Sequence, residues 1–177
     1  ISADEQALKQ ARVEVFKNLV VKNKYSQPEQ IIAAYERTDQ WLSNVFYDLI
    51  IFRDDEIPQH NVRDRAIIDS LYHYLSLIKF RLSAAYVLDN KAEVEKLLGG
   101  MKERLEAADK VLLTYPRWRA TTANILTALT VIGGIVMLLK GAYTYRKTRR
   151  FDVRLFNPER KAYQNVCKAE ALAAPAA

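Results

Sequence analysis

His60, His73 and Cys167 are the only imidazole and thiol side chains in this chain of 177 residues. Such groups hold zinc, or act as base and nucleophile, only at restricted spacings. Neither histidine belongs to an HExxH motif, and neither pairs with the single cysteine at a zinc-ligand spacing. Cys167 has a cation beside it in Lys168, which favours a thiolate, but no histidine stands near it in sequence. Asp54, Asp55 and Glu56 cluster like calcium ligands, yet the loop glycine and the distant glutamate of a calcium-binding loop are missing. They read as a solvated turn. No Glu-x-x-His pair suggests a di-iron bundle, and no nucleophile elbow or glycine-rich phosphate loop is present. The expectation is a chain without catalytic centre, metal or cofactor.

Chemistry of another kind is concentrated in the C-terminal third. Up to Tyr115 there are 16 Lys/Arg against 18 Asp/Glu; from Pro116 onward there are 11 against 3. The net charge of +6 therefore belongs to the end of the chain. Arg146, Lys147, Arg149 and Arg150 form a run just behind Tyr143 and Tyr145. Cations directly behind an apolar segment suit anionic lipid headgroups, and Tyr and Trp suit the headgroup level. Trp118, at the front of the same segment, completes the candidate lipid-binding set. Aromatic residues interleaved with cations also suit single-stranded nucleic acid, but no module signature is present and no nucleic acid is expected.

The segment between these groups, Ala120 to Leu139, carries no charge. Twenty residues are about what a helix needs to cross a hydrocarbon core. Asn124, four threonines and the pair Gly133-Gly134 make that span marginal. Ala123, Thr127, Thr130, Gly134 and Gly141 share one helical face, where another backbone could come close. The sequence thus leaves two placements: a membrane span, or a helix packed centrally in a bundle. The glycine pair is expected to allow close packing in the second.

The remaining sequence is organised as long helices. Half of the residues are hydrophobic, and only five are Gly and five Pro. Leu8, Val15, Phe16, Leu19 and Val20 mark one face of a first helix over 2–21. Ser26, with Glu29 three residues on and Pro28 between, reads as the capped start of a second. Ile31, Tyr35, Thr38, Leu42, Val45, Leu49 and Phe52 then step alternately by four and three, a seam facing a partner helix. A third helix is expected from Asn61, with Ile68, Leu71, Leu75, Ile78 and Leu82 as its seam. A fourth follows the cap Asn90 and carries Val94, Leu98, Met101, Leu105, Ala108 and Leu112. Its seam keeps register across Gly99-Gly100, which predicts a bend or a close contact there and not a loop. Short connections make these neighbours antiparallel. The expected fold is an all-α, antiparallel up-down bundle over 1–116. Residues 117–177 add the very apolar helix, the basic link, a short extended piece at 151–155 and a C-terminal helix after Asn157, packed on the same bundle.

Trp118-Arg119, the apolar run NILTALTVIGGIVMLLKG from Asn124, YRKTRR from Tyr145, RLF from Arg154 and the helix after Asn157 together resemble the helical C-terminal modules of Legionella Dot/Icm secreted effectors. The resemblance covers about the last third of the chain. It implies a bacterial protein delivered into a host cell, acting at a host membrane, with a phosphoinositide-binding bundle as one form of such domains. The glutamate-rich block that often precedes the end of such effectors is absent before ALAAPAA, and no secretory signal is visible in the opening residues. The expectation is a non-enzymatic, membrane-associated domain contacting anionic lipid. Its alternative is a soluble module that binds a partner helix or a host protein.

Overall fold

A computed structural model describes residues 3–22 and 27–148. The described residues are almost entirely helical and contain no strand. They form α1 (Ala3–Lys22), α2 (Pro28–Glu56), α3 (Val62–Val87), α4 (Lys91–Leu112) and α5 (Trp118–Thr148). Successive helices α1 to α4 run antiparallel, and α5 lies along α2 and α3, with a lighter contact to α4. The extended piece and final helix expected after residue 150 lie outside the described residues.

The spacing of apolar side chains fixes which face of each helix turns inward. On α2, six of the seven seam positions are buried, and Val45 packs half-buried against the core. Phe46 is buried beside them and widens the stripe, so that α2 contacts α1, α3 and α5 together. On α3 the predicted seam is buried throughout, with Leu75 and Leu82 fully enclosed. On α4, Met101, Leu105, Ala108 and Leu112 are buried. Leu97 takes the buried place expected of Leu98, which is only partly covered. Burying one such side chain contributes about 1.5–3 kcal/mol, so these matched stripes hold the bundle together.

α1 is the most exposed of these helices. Phe16 and Val20 are its only buried side chains among the described residues, and Leu8, expected on the same face, is exposed. Phe16 stacks on Tyr35 at 4.3 Å, and Tyr35 meets Phe80 edge-on at 5.7 Å. Below this cluster the buried carboxylate of Asp39 lies 3.7 Å from Lys79 and 4.0 Å from Lys9. Lys79 also donates to the Ser43 hydroxyl at 2.8 Å. Burial lowers the Lys79 pKa, and the Asp39 charge offsets part of that shift.

Helix ends follow local chemistry. Asn61 and Asn90 cap α3 and α4 by accepting from the backbone N–H of Asp64 and Glu93, at 3.3 and 3.2 Å. The turn between these helices places Asp89 at φ 55°, a left-handed conformation that Asp tolerates better than most residues. It lets the Asn90 N–H reach back to the Ala85 carbonyl at 2.9 Å. α2 departs from expectation: Ser26 lies outside the described residues, and the cap position is Gln27, which makes no side-chain cap bond. Pro28 in the first turn lacks an N–H that needs one.

Asp54, Asp55 and Glu56 belong to the last turn of α2 and not to a loop. Acidic groups there oppose the helix dipole, and arginines surround them. Arg65 donates to the carbonyls of Arg53 and Ile57 at 3.1 and 2.9 Å and pairs with Asp54 at 2.7 Å. Hydrogen bonds from Arg53 and Arg65 hold the Asp54 carboxyl below its usual pKa. Arg117 lies 3.4 Å from both Asp55 and Glu56. Gly99 and Gly100 continue α4 without a break. At Gly100 an added Cβ would stand 2.9 Å from the Tyr74 hydroxyl, the close contact that the sequence predicts.

Candidate membrane-facing surface

α5 has 31 residues, which makes it about 47 Å long. Its inward face is narrow. Trp118, Ile125, Leu129, Ile132 and Val136 are buried, at steps of seven, four, three and four. These positions form one stripe against α2 and α3. The stripe is hard to see in the sequence, because the residues around it are apolar too.

Trp118 is the front end of this stripe, and it corrects the expectation of a lipid anchor. The residue is fully buried. Its ring packs against Phe52 at a centroid distance of 5.2 Å, and its indole N–H donates to the Asp109 carboxylate. A buried indole satisfied by a buried-side partner is a core residue, so no headgroup reaches it. Next to it, Tyr115 donates to Asp64 at 2.8 Å and accepts from Asn61 at 2.9 Å. This polar knot ties the start of α3 to the connection between α4 and α5.

Further along, Tyr86 fixes the height at which α5 crosses α3. Its hydroxyl donates to the Leu129 carbonyl at 3.0 Å. Its ring lies against the backbone of Gly133, where an added Cβ would stand 2.8 Å from a ring carbon. Burial of the phenol pushes its pKa up to about 12. Gly133 thus supplies the close approach expected of the glycine pair. Gly134 does not: no atom lies within 4 Å of a Cβ added there. Replacing Gly133 by Leu is expected to destabilise the fold by about 1–3 kcal/mol or more, because the side chain overfills a contact already tight. Gly134→Leu meets open space and removes a mid-helix glycine, so it is expected to leave stability unchanged or raise it by up to about 1 kcal/mol. Paired urea denaturation curves check this contrast.

The outward face of α5 is the candidate site. Leu126, Val131, Ile135 and Leu138 are exposed, with Val131 at 52% and Leu138 at 66%. Ala123, Asn124, Thr127, Thr130 and Gly134 are exposed between them. A helix face in water ordinarily carries charge, yet from Ala120 to Leu139 this one carries none. Its polarity is reduced further because the Thr130 hydroxyl bonds back to the Leu126 carbonyl at 3.1 Å. The placement is therefore neither of the two that the sequence suggests in pure form. The helix packs on the bundle, but along one face, and it is not enclosed by it.

Every charged residue of α5 is basic: Arg119, Lys140, Arg146 and Lys147. Tyr143, Tyr145, Arg146 and Lys147 occupy the final turns of the helix. Arg149 and Arg150 lie outside the described residues. His60 and His73 are both exposed, one in the α2–α3 connection and one on α3. Tyr86 is the residue of consequence that sequence reasoning missed; the close approach at Gly133 was expected, but not the ring that makes it. Comparison of the chain with family models, with curated proteins and with solved structures gave no match.

Proposed function

We propose that this chain is a non-enzymatic, membrane-associated helical domain that holds itself, or a larger protein, at an anionic lipid surface. The observation that carries the reading is the outward face of α5, uncharged over more than five turns, with Leu126, Val131, Ile135 and Leu138 open to solvent. The basic run Arg146, Lys147, Arg149 and Arg150 supplies the matching charge for anionic headgroups, phosphoinositides among them. The resemblance of the last third to secreted-effector modules extends the proposal to a bacterial protein working on a host membrane.

Flotation with liposomes tests it. The chain is expected to float with vesicles containing anionic lipid and to be recovered only weakly with neutral ones. Binding should weaken between about 0.05 and 0.5 M salt, because exposed charges are screened over roughly 10 Å at 0.1 M. Equal recovery on neutral and anionic vesicles would remove the electrostatic part of the proposal. A soluble interaction module is the second reading, favoured by the open space at Gly134 and the small residues Ala123, Thr127 and Thr130 around it. Absence of binding to either vesicle type would leave that reading ahead.

A further inference from the structure

We infer that α5 meets the bilayer while still packed in the bundle, lying along the surface with its outward face at the boundary of headgroups and acyl chains, and does not cross the membrane. The inference rests on the membrane reading above and specifies its geometry. Among the described residues, Trp118–Val136 is the one segment long and apolar enough to span. Spanning, however, would require its inward face to leave the protein.

Three observations oppose that departure. The first is the seam itself: Trp118, Ile125, Leu129, Ile132 and Val136 would all have to exchange protein contacts for lipid. The apolar surfaces of α2 and α3 beneath them, Phe52 and Tyr86 included, would then face water. Second, α5 is fastened at two levels. The indole N–H of Trp118 is held by Asp109 on α4, and the Leu129 carbonyl is held by the Tyr86 hydroxyl on α3. Five residues, 113–117, join α4 to α5, and Arg117 in this link pairs with Asp55 and Glu56 of α2. The start of α5 therefore has little freedom to tilt away from the bundle.

The third observation is the placement of charge. Arg119 is exposed near the front of the apolar face, and Lys140, Arg146 and Lys147 follow its far end. A helix lying in the plane keeps both basic ends of the segment at one leaflet. A spanning helix would send one group to the opposite leaflet. An in-plane helix buries its apolar face about 5–10 Å into the boundary region. Leu126, Val131, Ile135 and Leu138 can enter to that depth without disturbing the seam on the other side of the helix.

The protein carries its own probe for the distinction. Only Trp41 and Trp118 contribute indole fluorescence. In a Trp41→Phe, Cys167→Ser background, Trp118 reports the inward face, and bimane on Val131→Cys reports the outward one. Both are read on vesicles of phosphatidylcholine and phosphatidylserine with brominated acyl chains, against the same lipids without bromine. Bimane should be quenched at least about twofold, while Trp118 keeps its intensity to within about a tenth, since in-plane insertion reaches only the outward side. The unmodified chain, bound to vesicles, should also be released by alkaline carbonate. Quenching of Trp118, or resistance to carbonate, would show a spanning helix and overturn this geometry while leaving membrane binding intact. Binding with the bimane unquenched would overturn it too, because the docking surface would then lie elsewhere. Loss of flotation altogether would instead remove the membrane reading on which the geometry stands.

Discussion

Replacing Trp118 by alanine is expected to destabilise the bundle by about 3–5 kcal/mol, the range for deleting a large buried aromatic side chain. The indole is fully enclosed, and it contacts Phe52 where α2, α4 and α5 converge. Its removal leaves a cavity and takes away the N–H that Asp109 accepts. The half-covered carboxylate of Asp109 then needs water that the packed side of the bundle supplies poorly. In urea the midpoint should fall with an unchanged slope, the mark of lost stability without a change in the unfolding reaction. In a thermal scan the loss corresponds to a fall on the order of 10 °C for a chain of this size. Trp118→Phe should fall between the two, because it keeps much of the apolar area and loses only the N–H. A change below about 1 kcal/mol for the alanine variant would show that the indole is not a core residue.

Trp118 also shows where sequence reading reaches its limit. A tryptophan beside an arginine, ahead of twenty uncharged residues, has the same composition whether it anchors a membrane span or begins a buried stripe. Composition describes the whole circumference of a helix, and the fold uses the two sides differently. The seams of α2, α3 and α4 were legible because polar residues lie opposite them, so the four-and-three spacing stands out. Their caps at Asn61 and Asn90 were legible because short polar side chains close orphan N–H groups by local geometry alone. On α5 no polar face contrasts with the stripe. Only the positions of α2 and α3 decide that Ile125, Leu129, Ile132 and Val136 turn inward and that Val131 and Leu138 turn out.

The glycine pair teaches the same lesson on a smaller scale. Adjacent glycines look equivalent in sequence, but a helix turns by about 100° between them. Gly133 therefore meets the Tyr86 ring, and Gly134 meets nothing. Tyr86 itself gave no sign, since a tyrosine near the end of an amphipathic helix is ordinary. The acidic cluster at 54–56 has one adjacent partner in Arg53, but its other arginine partners come from α3 and from the link before α5, contacts over sequence separations of 11 to 62 residues. No local pattern encodes pairs of that kind. Their energetic weight is small at the surface, about 0–1 kcal/mol each. Their effect lies in fixing the start of α5 against the end of α2.

The basic run should have the largest effect on binding. Changing Arg146, Lys147, Arg149 and Arg150 together to alanine is expected to weaken association with anionic vesicles by roughly a thousandfold. Each cation near such a surface contributes on the order of 1 kcal/mol, and about 1.4 kcal/mol is a factor of ten in affinity. The change should leave the fold intact, because alanine is the best helix former and the four residues follow Val136, the last described buried position of the α5 stripe, by ten residues or more in sequence. Helicity and the urea midpoint of the variant serve as the control. What should disappear is the preference for anionic over neutral vesicles, together with the salt dependence that accompanies it. The apolar outward face remains in the variant, so a weak residual binding that ignores lipid charge is expected to persist. This separates the two contributions: Leu126, Val131, Ile135 and Leu138 supply adhesion to the boundary region, and the cations supply choice of surface. A variant that binds anionic vesicles as tightly as the parent, with the same response to salt, would falsify the role of the basic run. The cations would then act only to keep the end of the chain soluble, and selection of a surface would have to come from a protein partner on the α5 face.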